Sequence, residues 1–317
     1  MNGPLVYLHQ DQLQDVYSHY RKSQLDRFEA VAFCFDEEDV FHVYTSRPKT
    51  HLSGYPCASV IKFLTSIPKG EAGLAVATQV SNTISGNKVK STVIILLAIE
   101  QNVLQHCVFI RNFESKFREG VKFIPDYSEL YSRSQGLLET SVLEECKVGI
   151  VGLGSGGSTV ALELAKAGVS NFVLIDFDRL ELGNIARHIC GTGDLGRYKT
   201  NAVRDLLYGK NPFIKVQTAE LDINENLEQT KVLLKDCDLI IAATDNDRSR
   251  FNLNNIALEY KIVTIFGRAL TRASGGDILR VRPDNGPCLG CIFTKDFLES
   301  RQEEVSQFRQ ARSENPA

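Results

Sequence analysis

Residues 147–178 read KVGIVGLGSGGSTVALELAKAGVSNFVLIDFD. The opening run, residues 147–154, is apolar without alternation and ends in glycine, as a strand buried on both faces does. Residues 155–168 then carry apolar side chains at helical spacing and stop at Gly168, a residue suited to ending a helix. Residues 172–178 form a second uniformly apolar strand that closes on a carboxylate, Asp176. Strand, glycine loop, helix and strand make one parallel crossover unit. In the loop, Gly152, Gly154, Gly156 and Gly157 let the backbone approach phosphates, and the helix start offers N–H donors and a partial positive charge. Asp176 stands at the distance usual for a carboxylate that binds ribose hydroxyls. On these residues alone NAD, FAD and ATP all fit.

The same alternation continues outward. A helix is expected over 200–208, a strand over 214–218, a buried strand over 233–245, a helix over 248–260 and a strand over 262–269. The expected fold is α/β, a doubly wound, mostly parallel Rossmann-like sheet. The first half is different. Its pattern predicts a helix over 10–27, strands over 30–35 and 40–45, a helix over 58–65, and strands over 72–78, 91–99 and 106–110. Residues 112–132, polar and aromatic by turns, read as a joining element. The expected domains are therefore 1–125, a smaller α/β domain, and 126–317, a nucleotide-binding domain.

Composition narrows the function classes. The 317 residues carry a net charge of −3, so no strong field draws the chain to nucleic acid or to a membrane surface. The longest apolar stretch, 93–99, is strand-sized, far short of the roughly twenty residues of a spanning helix. The start, MNGPLVYLHQ, lacks the basic and apolar regions of a signal peptide, so a cytoplasmic chain is expected. Six of the eight cysteines stand alone, as buried thiols do; Cys288 and Cys291 form a Cys-x-x-Cys pair.

The residues after the glycine loop choose among nucleotides. Asp176 and Asp178 are followed by Asn184 and Arg187 in an Asn-x-x-Arg arrangement, then Lys199, then Thr244-Asp245-Asn246, with Arg250 beyond and Cys288-x-x-Cys291 last. This ordered set resembles the ThiF, MoeB and HesA group of ubiquitin-activating-type adenylyltransferases. Residues 131–133 (Tyr-Ser-Arg) resemble the group's arginine-bearing N-terminal helix. The resemblance implies ATP and magnesium as cofactors, with Arg187, Lys199, Asp245 and Arg133 as catalytic residues, Arg133 coming from the partner of a homodimer. It implies nucleotide contacts from the four loop glycines, Asp176, Asp178, Asn184 and Asn246, and magnesium on Asp245. The implied reaction is attack of a C-terminal carboxylate on the α-phosphate of ATP. The substrate would be a ubiquitin-like or sulfur-carrier protein, with a conjugating enzyme as a further partner, as in bacterial ubiquitin-like conjugation or phage-defence systems. Cations suit a transition state that concentrates charge on phosphates.

Cys288 and Cys291 match one half of the group's four-thiolate zinc site, and the chain carries no second Cys-x-x-Cys after them. The group continues with further strands and helices, so the adenylation domain is expected to be truncated at its C-terminus. HLSGYP at 51–56 resembles ThiF-type proteins with a fused JAB-like domain; without a His-x-His pair that domain is expected to be non-catalytic and to serve recognition or dimer contacts. Two other classes stay open. An NAD-dependent oxidoreductase would use the loop and Asp176 but not Asn184, Arg187 and Lys199. A pseudoenzyme half of a heterodimeric activating complex would have no need of the cations.

Overall fold

A computed structural model describes residues 4–8, 10–35, 39–45, 54–84, 91–101, 103–112, 116–123, 130–132, 136, 139–211, 213–269 and 275–293. The chain divides into two compact units, 1–130 and 131–317.

The first unit runs β1 (Leu5–Leu8), α1 (Gln10–Ser23), β2 (Arg27–Phe35), β3 (Val40–Tyr44), β4 (Tyr55–Leu64), α2 (Glu71–Asn82), β5 (Ser91–Glu100), β6 (Val103–Asn112), β7 (Arg118–Glu119) and β8 (Val121–Phe123). These strands make one mixed eight-stranded sheet in the order β7-β6-β5-β4-β2-β3-β1-β8. One face packs on α1 through Leu13 and Val16, with Ile61, Phe63, Ile95 and Leu97 beneath. On the opposite face Val60, Ile94, Leu96 and Phe109 meet Ala77 and Val80 of α2. With both faces covered, β5 is apolar at every step from Val93 to Ala98.

Two expectations fail here. The helix expected over 58–65 is strand β4, and the strand expected over 72–78 is helix α2. In β4 the neighbours Val60 and Ile61 are buried on opposite faces, so the period of two is hidden by two cores. In α2 the buried positions Gly73, Ala77, Val80 and Ser81 follow helical spacing. Small residues let α2 approach closely, for a Cβ on Gly73 would sit 2.5 Å from the Phe109 ring.

The second unit runs α3 (Thr140–Glu145), β9 (Lys147–Val151), α4 (Ser155–Ala167), β10 (Asn171–Ile175), α5 (Leu182–Ile185), α6 (Lys199–Tyr208), β11 (Lys215–Ala219), α7 (Leu227–Leu234), β12 (Leu239–Ala242), α8 (Asp247–Tyr260), β13 (Val263–Ala269), β14 (Gly276–Val281) and α9 (Leu289–Ile292). Its six strands lie in the order β11-β10-β9-β12-β13-β14, parallel except for β14. Helices α4 and α6 cover one face, burying Ala161, Ala165, Val203 and Leu207 against Val148, Ile150 and Leu174. On the other face α7 and α8 bury Leu234, Leu253 and Ile256 against Val173, Ile175 and Ile240. This is the doubly wound sheet expected. The expected strand 233–245 is shorter, because Leu233 and Leu234 close α7 and the strand begins at Leu239. The strand order reverses at β9, between β10 and β12, and a doubly wound sheet opens its crevice at that point.

Helix α4 ends at Gly168, whose φ of 121° is cheap only for glycine. Nearby, the Tyr131 hydroxyl donates to the Ala165 carbonyl at 3.0 Å and accepts from Asn211 Nδ2 at 3.1 Å. Asn211 is buried, and its Oδ1 accepts the Phe213 N–H at 2.9 Å. Asn211→Ala removes a donor and an acceptor from an enclosed site, so a loss of about 1–3 kcal/mol is expected in urea unfolding. An unchanged midpoint would show that this network adds nothing to stability.

Candidate functional site

The crevice is lined first by the turn from β9 to α4. Gly152 has φ of 88°, and a Cβ there would lie 2.7 Å from the Ala243 carbonyl oxygen. A Cβ on Gly157 would overlap the Gly152 carbonyl oxygen and lie 3.0 Å from Ala243 Cβ. Close packing between strand ends and helix therefore accounts for these two glycines. It does not account for Gly154 and Gly156, where an added Cβ meets nothing within 4 Å. Those two leave bare backbone facing open space at the N-terminus of a 13-residue helix, where unpaired N–H groups and the helix dipole favour an anion.

Leu153 ties the surrounding segments together. Its N–H donates to Asp176 Oδ2 at 2.6 Å, and its carbonyl accepts from His188 Nε2 at 2.8 Å. The other Asp176 oxygen accepts the Asp178 N–H at 2.8 Å. Asp176 is thus a strut between the glycine loop and the end of β10. Burial raises its pKa, against the pull of those two hydrogen bonds and of the Lys199 charge.

Beyond Asp176 the expected residues sort into held and open ones. Lys199, buried at the start of α6, donates from Nζ to Asp178 Oδ2 at 2.6 Å and from its backbone N–H to the Asp178 carbonyl at 3.0 Å. Asn184, the third residue of α5, closes a capping box with the N-cap Glu181, its Oδ1 accepting the Glu181 N–H at 3.0 Å. Arg187 is exposed, and its side chain makes no hydrogen bond or ion pair among the described residues. Arg133 and His51 lie outside the described residues.

Across the crevice, β12 leads into Thr244-Asp245-Asn246. Asn246 is the N-cap of α8, its side chain accepting the Ser249 N–H at 2.9 Å. Arg250 is no surface charge but nearly buried; it donates from Nη2 to the Thr244 carbonyl at 2.6 Å and from Nη1 to Asp247 Oδ1 at 2.9 Å. Burial lowers its pKa, Asp247 and Asp245 oppose that, and Arg268 adds to it. Asp245 itself is exposed.

Magnesium keeps water and substrate phosphates in its shell and takes only one or two carboxylates, so the exposed Asp245 beside an open glycine loop fits it. Zinc fits less well. Cys288 and Cys291 bring their sulfurs to 3.6 Å, but no group of three or more His, Cys, Asp or Glu among the described residues could hold a metal. Two thiolates leave a tetrahedral site half made. Cys190 is a packed thiol: burial and then Asp194 push it up to about 12, far from thiolate at neutral pH. Sequence reading missed His188. Its only signal is its place directly after Arg187, which does not say what its ring touches.

Relatives match about half of the chain. Adenylyltransferase and sulfurtransferase MOCS3 of Culex quinquefasciatus is 32% identical over 169 residues, 51% of this chain and 38% of that protein. Molybdopterin-synthase adenylyltransferase of Escherichia coli is 31% identical over 151 residues, 47% of this chain and 59% of that protein. This chain thus spans less than two thirds of either relative. Among solved structures, Escherichia coli MccB with AMPCPP and MccA matches at a TM-score of 0.49 and 23% identity, over 57% of this chain and 56% of that one. The ThiF family pattern covers residues 127–313, more than half of the sequence and the whole crevice just described, and the chain belongs to that family.

Proposed function

We propose that the chain is an ATP- and magnesium-dependent adenylyltransferase that activates the C-terminal carboxylate of a ubiquitin-like or sulfur-carrier protein. The observation that carries this reading is the join at Leu153. There the open glycine loop, the Asp176 strut and the loop bearing Arg187 are bonded into one crevice. Membership of the ThiF family and the names of the adenylyltransferase relatives support it.

In the proposed reaction a carboxylate oxygen attacks the α-phosphorus. The bond from that phosphorus to the bridging oxygen breaks, pyrophosphate leaves with the electron pair, and an acyl-adenylate remains. The attacking carboxylate is already ionised at neutral pH, so no general base is required. Backbone N–H groups around Gly154 and Gly156 receive phosphate oxygens. Arg187, whose side chain has no hydrogen bond or ion pair among the described residues, would face the developing charge; Lys199 adds a second cation held in place by Asp178. Asp245 would hold magnesium, which neutralises phosphate charge when bound. In the same reading the protein is a homodimer in which Arg133 reaches the partner's crevice, and residues 1–125 serve recognition or dimer contacts.

The test is exchange of labelled pyrophosphate into ATP, with candidate ubiquitin-like proteins bearing free or amidated C-termini. Exchange that needs the free carboxylate is the expected result. Exchange indifferent to the tail, or none with any candidate although ATP binds, overturns the reading.

A further inference from the structure

We propose that Cys288 and Cys291 form a redox-active dithiol that closes reversibly to a disulfide by exchange with small-molecule disulfides, rather than half of a zinc centre. The proposal stands apart from the adenylation chemistry, and its failure would leave that reading untouched.

The two sulfurs lie 3.6 Å apart and are hydrogen-bonded to each other. A disulfide draws its sulfurs to about 2.05 Å, a step that side-chain rotation at the two cysteines can cover. Among the described residues no third His, Cys, Asp or Glu joins them to hold a metal. Two thiolates complete no tetrahedral shell, whereas two are what a disulfide needs.

The backbone holds the pair outward. Leu289, between them, is buried in one core with Leu253 and Ile256 of α8, and its N–H donates to Asn254 Oδ1 at 2.8 Å. Beyond Cys291 the Arg268 guanidinium lies over the Phe293 ring at 3.8 Å, and Arg268 pairs with Asp277. These two anchors fix the segment and leave Cys291 exposed and Cys288 half-buried. Gly290 puts no side chain over the Cys288 sulfur, where even a Cβ would come within 3.8 Å.

The same segment suits Cys288 to attack first. Its sulfur accepts hydrogen bonds from the backbone N–H groups of Gly290 and Cys291 and from the Asn254 side chain. Burial opposes a thiolate there; these donors and the Cys291 thiol stabilise it. The Cys288 thiolate attacks one sulfur of the external disulfide, whose S–S bond breaks and releases one thiolate. The Cys291 sulfur then attacks the Cys288 sulfur, the mixed disulfide breaks, and the second thiolate leaves. Two electrons pass to the external disulfide, and the two cysteine protons go to the thiolates released. A small dithiol reverses both steps. The remaining cysteines offer controls: Cys34, Cys57, Cys107, Cys190 and Cys237 are buried, and Cys146 is partly exposed.

The experiment equilibrates the folded full chain in glutathione buffers from fully reduced to fully oxidised. The exchange is quenched with acid, free thiols are alkylated, and peptides are weighed by mass spectrometry. The peptide carrying both cysteines is expected to become lighter by two hydrogens, and dithiothreitol is expected to restore it. Cys146 is expected to take a glutathione adduct instead. Cys291→Ser stalls the exchange after its first step, so it is expected to keep a glutathione adduct on Cys288. A wild-type pair that stays reduced while Cys146 reacts, or that carries glutathione on both sulfurs, overturns the proposal. A Cys291→Ser chain with no adduct on Cys288 overturns the proposed route. In a second arm the reduced chain meets zinc chloride alone and then EDTA. Zinc stripped by EDTA, with both sulfurs open to alkylation, is the expected result. Zinc that survives EDTA in the wild type, shields both sulfurs and is lost in Cys288→Ser overturns the proposal in favour of a metal centre.

Discussion

Asp245→Ala is expected to remove magnesium-dependent pyrophosphate exchange, lowering the rate by about 10²–10³-fold or more, while leaving the fold intact. Asp245 follows β12 at the open end of the sheet, exposed, with no hydrogen bond among the described residues. Its neighbours do the structural work: Asn246 caps α8, and Arg250 holds the Thr244 carbonyl. Removing an exposed carboxylate there should change stability by no more than about 0.5 kcal/mol, as for surface substitutions in general. Arg250 feels the Asp245 charge, so circular dichroism and thermal unfolding should accompany the kinetics. Asp245→Asn keeps the shape and removes the charge, and it should fail equally. If both variants turn over at the wild-type rate across a magnesium titration, Asp245 has no part in the reaction.

Gly157→Ala is expected to damage the fold itself. The new Cβ would occupy the place of the Gly152 carbonyl oxygen, with Ala243 Cβ 3.0 Å away, so neither neighbour has room to yield. The first turn of α4 would have to move off the β9–β12 strand ends, and about 3 kcal/mol or more of stability should go with it. Gly154→Ala and Gly156→Ala make the contrast. Their Cβ atoms meet nothing within 4 Å, so melting temperatures should stay near wild type. Each methyl stands in the space assigned to phosphate, so MgATP affinity should fall. If all three variants lose stability alike, the open pair is structural too. If Gly154→Ala and Gly156→Ala bind ATP normally, phosphate does not approach there.

The parallel sheet of the second unit could be read directly from residues 147–178, because each signal in it is local. An unbroken apolar run means a strand covered on both faces, helical spacing lies within one turn, and Gly168 ends α4 by its own backbone freedom. The same local reasoning exchanged β4 and α2 in the first unit. Two cores, one on each face of the sheet, erase alternation in β4, and small residues hide the stripe of α2.

The residue types at the crevice are legible in the chain: a glycine-rich turn, carboxylates at 176 and 178, cations at 187 and 199, and a carboxylate at 245. What each one touches depends on how the sheet and helices bring distant segments together. The folded structure separates glycines that packing requires from glycines that packing leaves open, since that depends on where Ala243 lies. It pairs Lys199 with Asp178, buries Arg250 under Thr244, and places His188 between Leu153 and Cys190. The physical reason is range: backbone propensity acts over a few residues, whereas a buried hydrogen bond joins whichever groups the folded sheet brings within 3 Å.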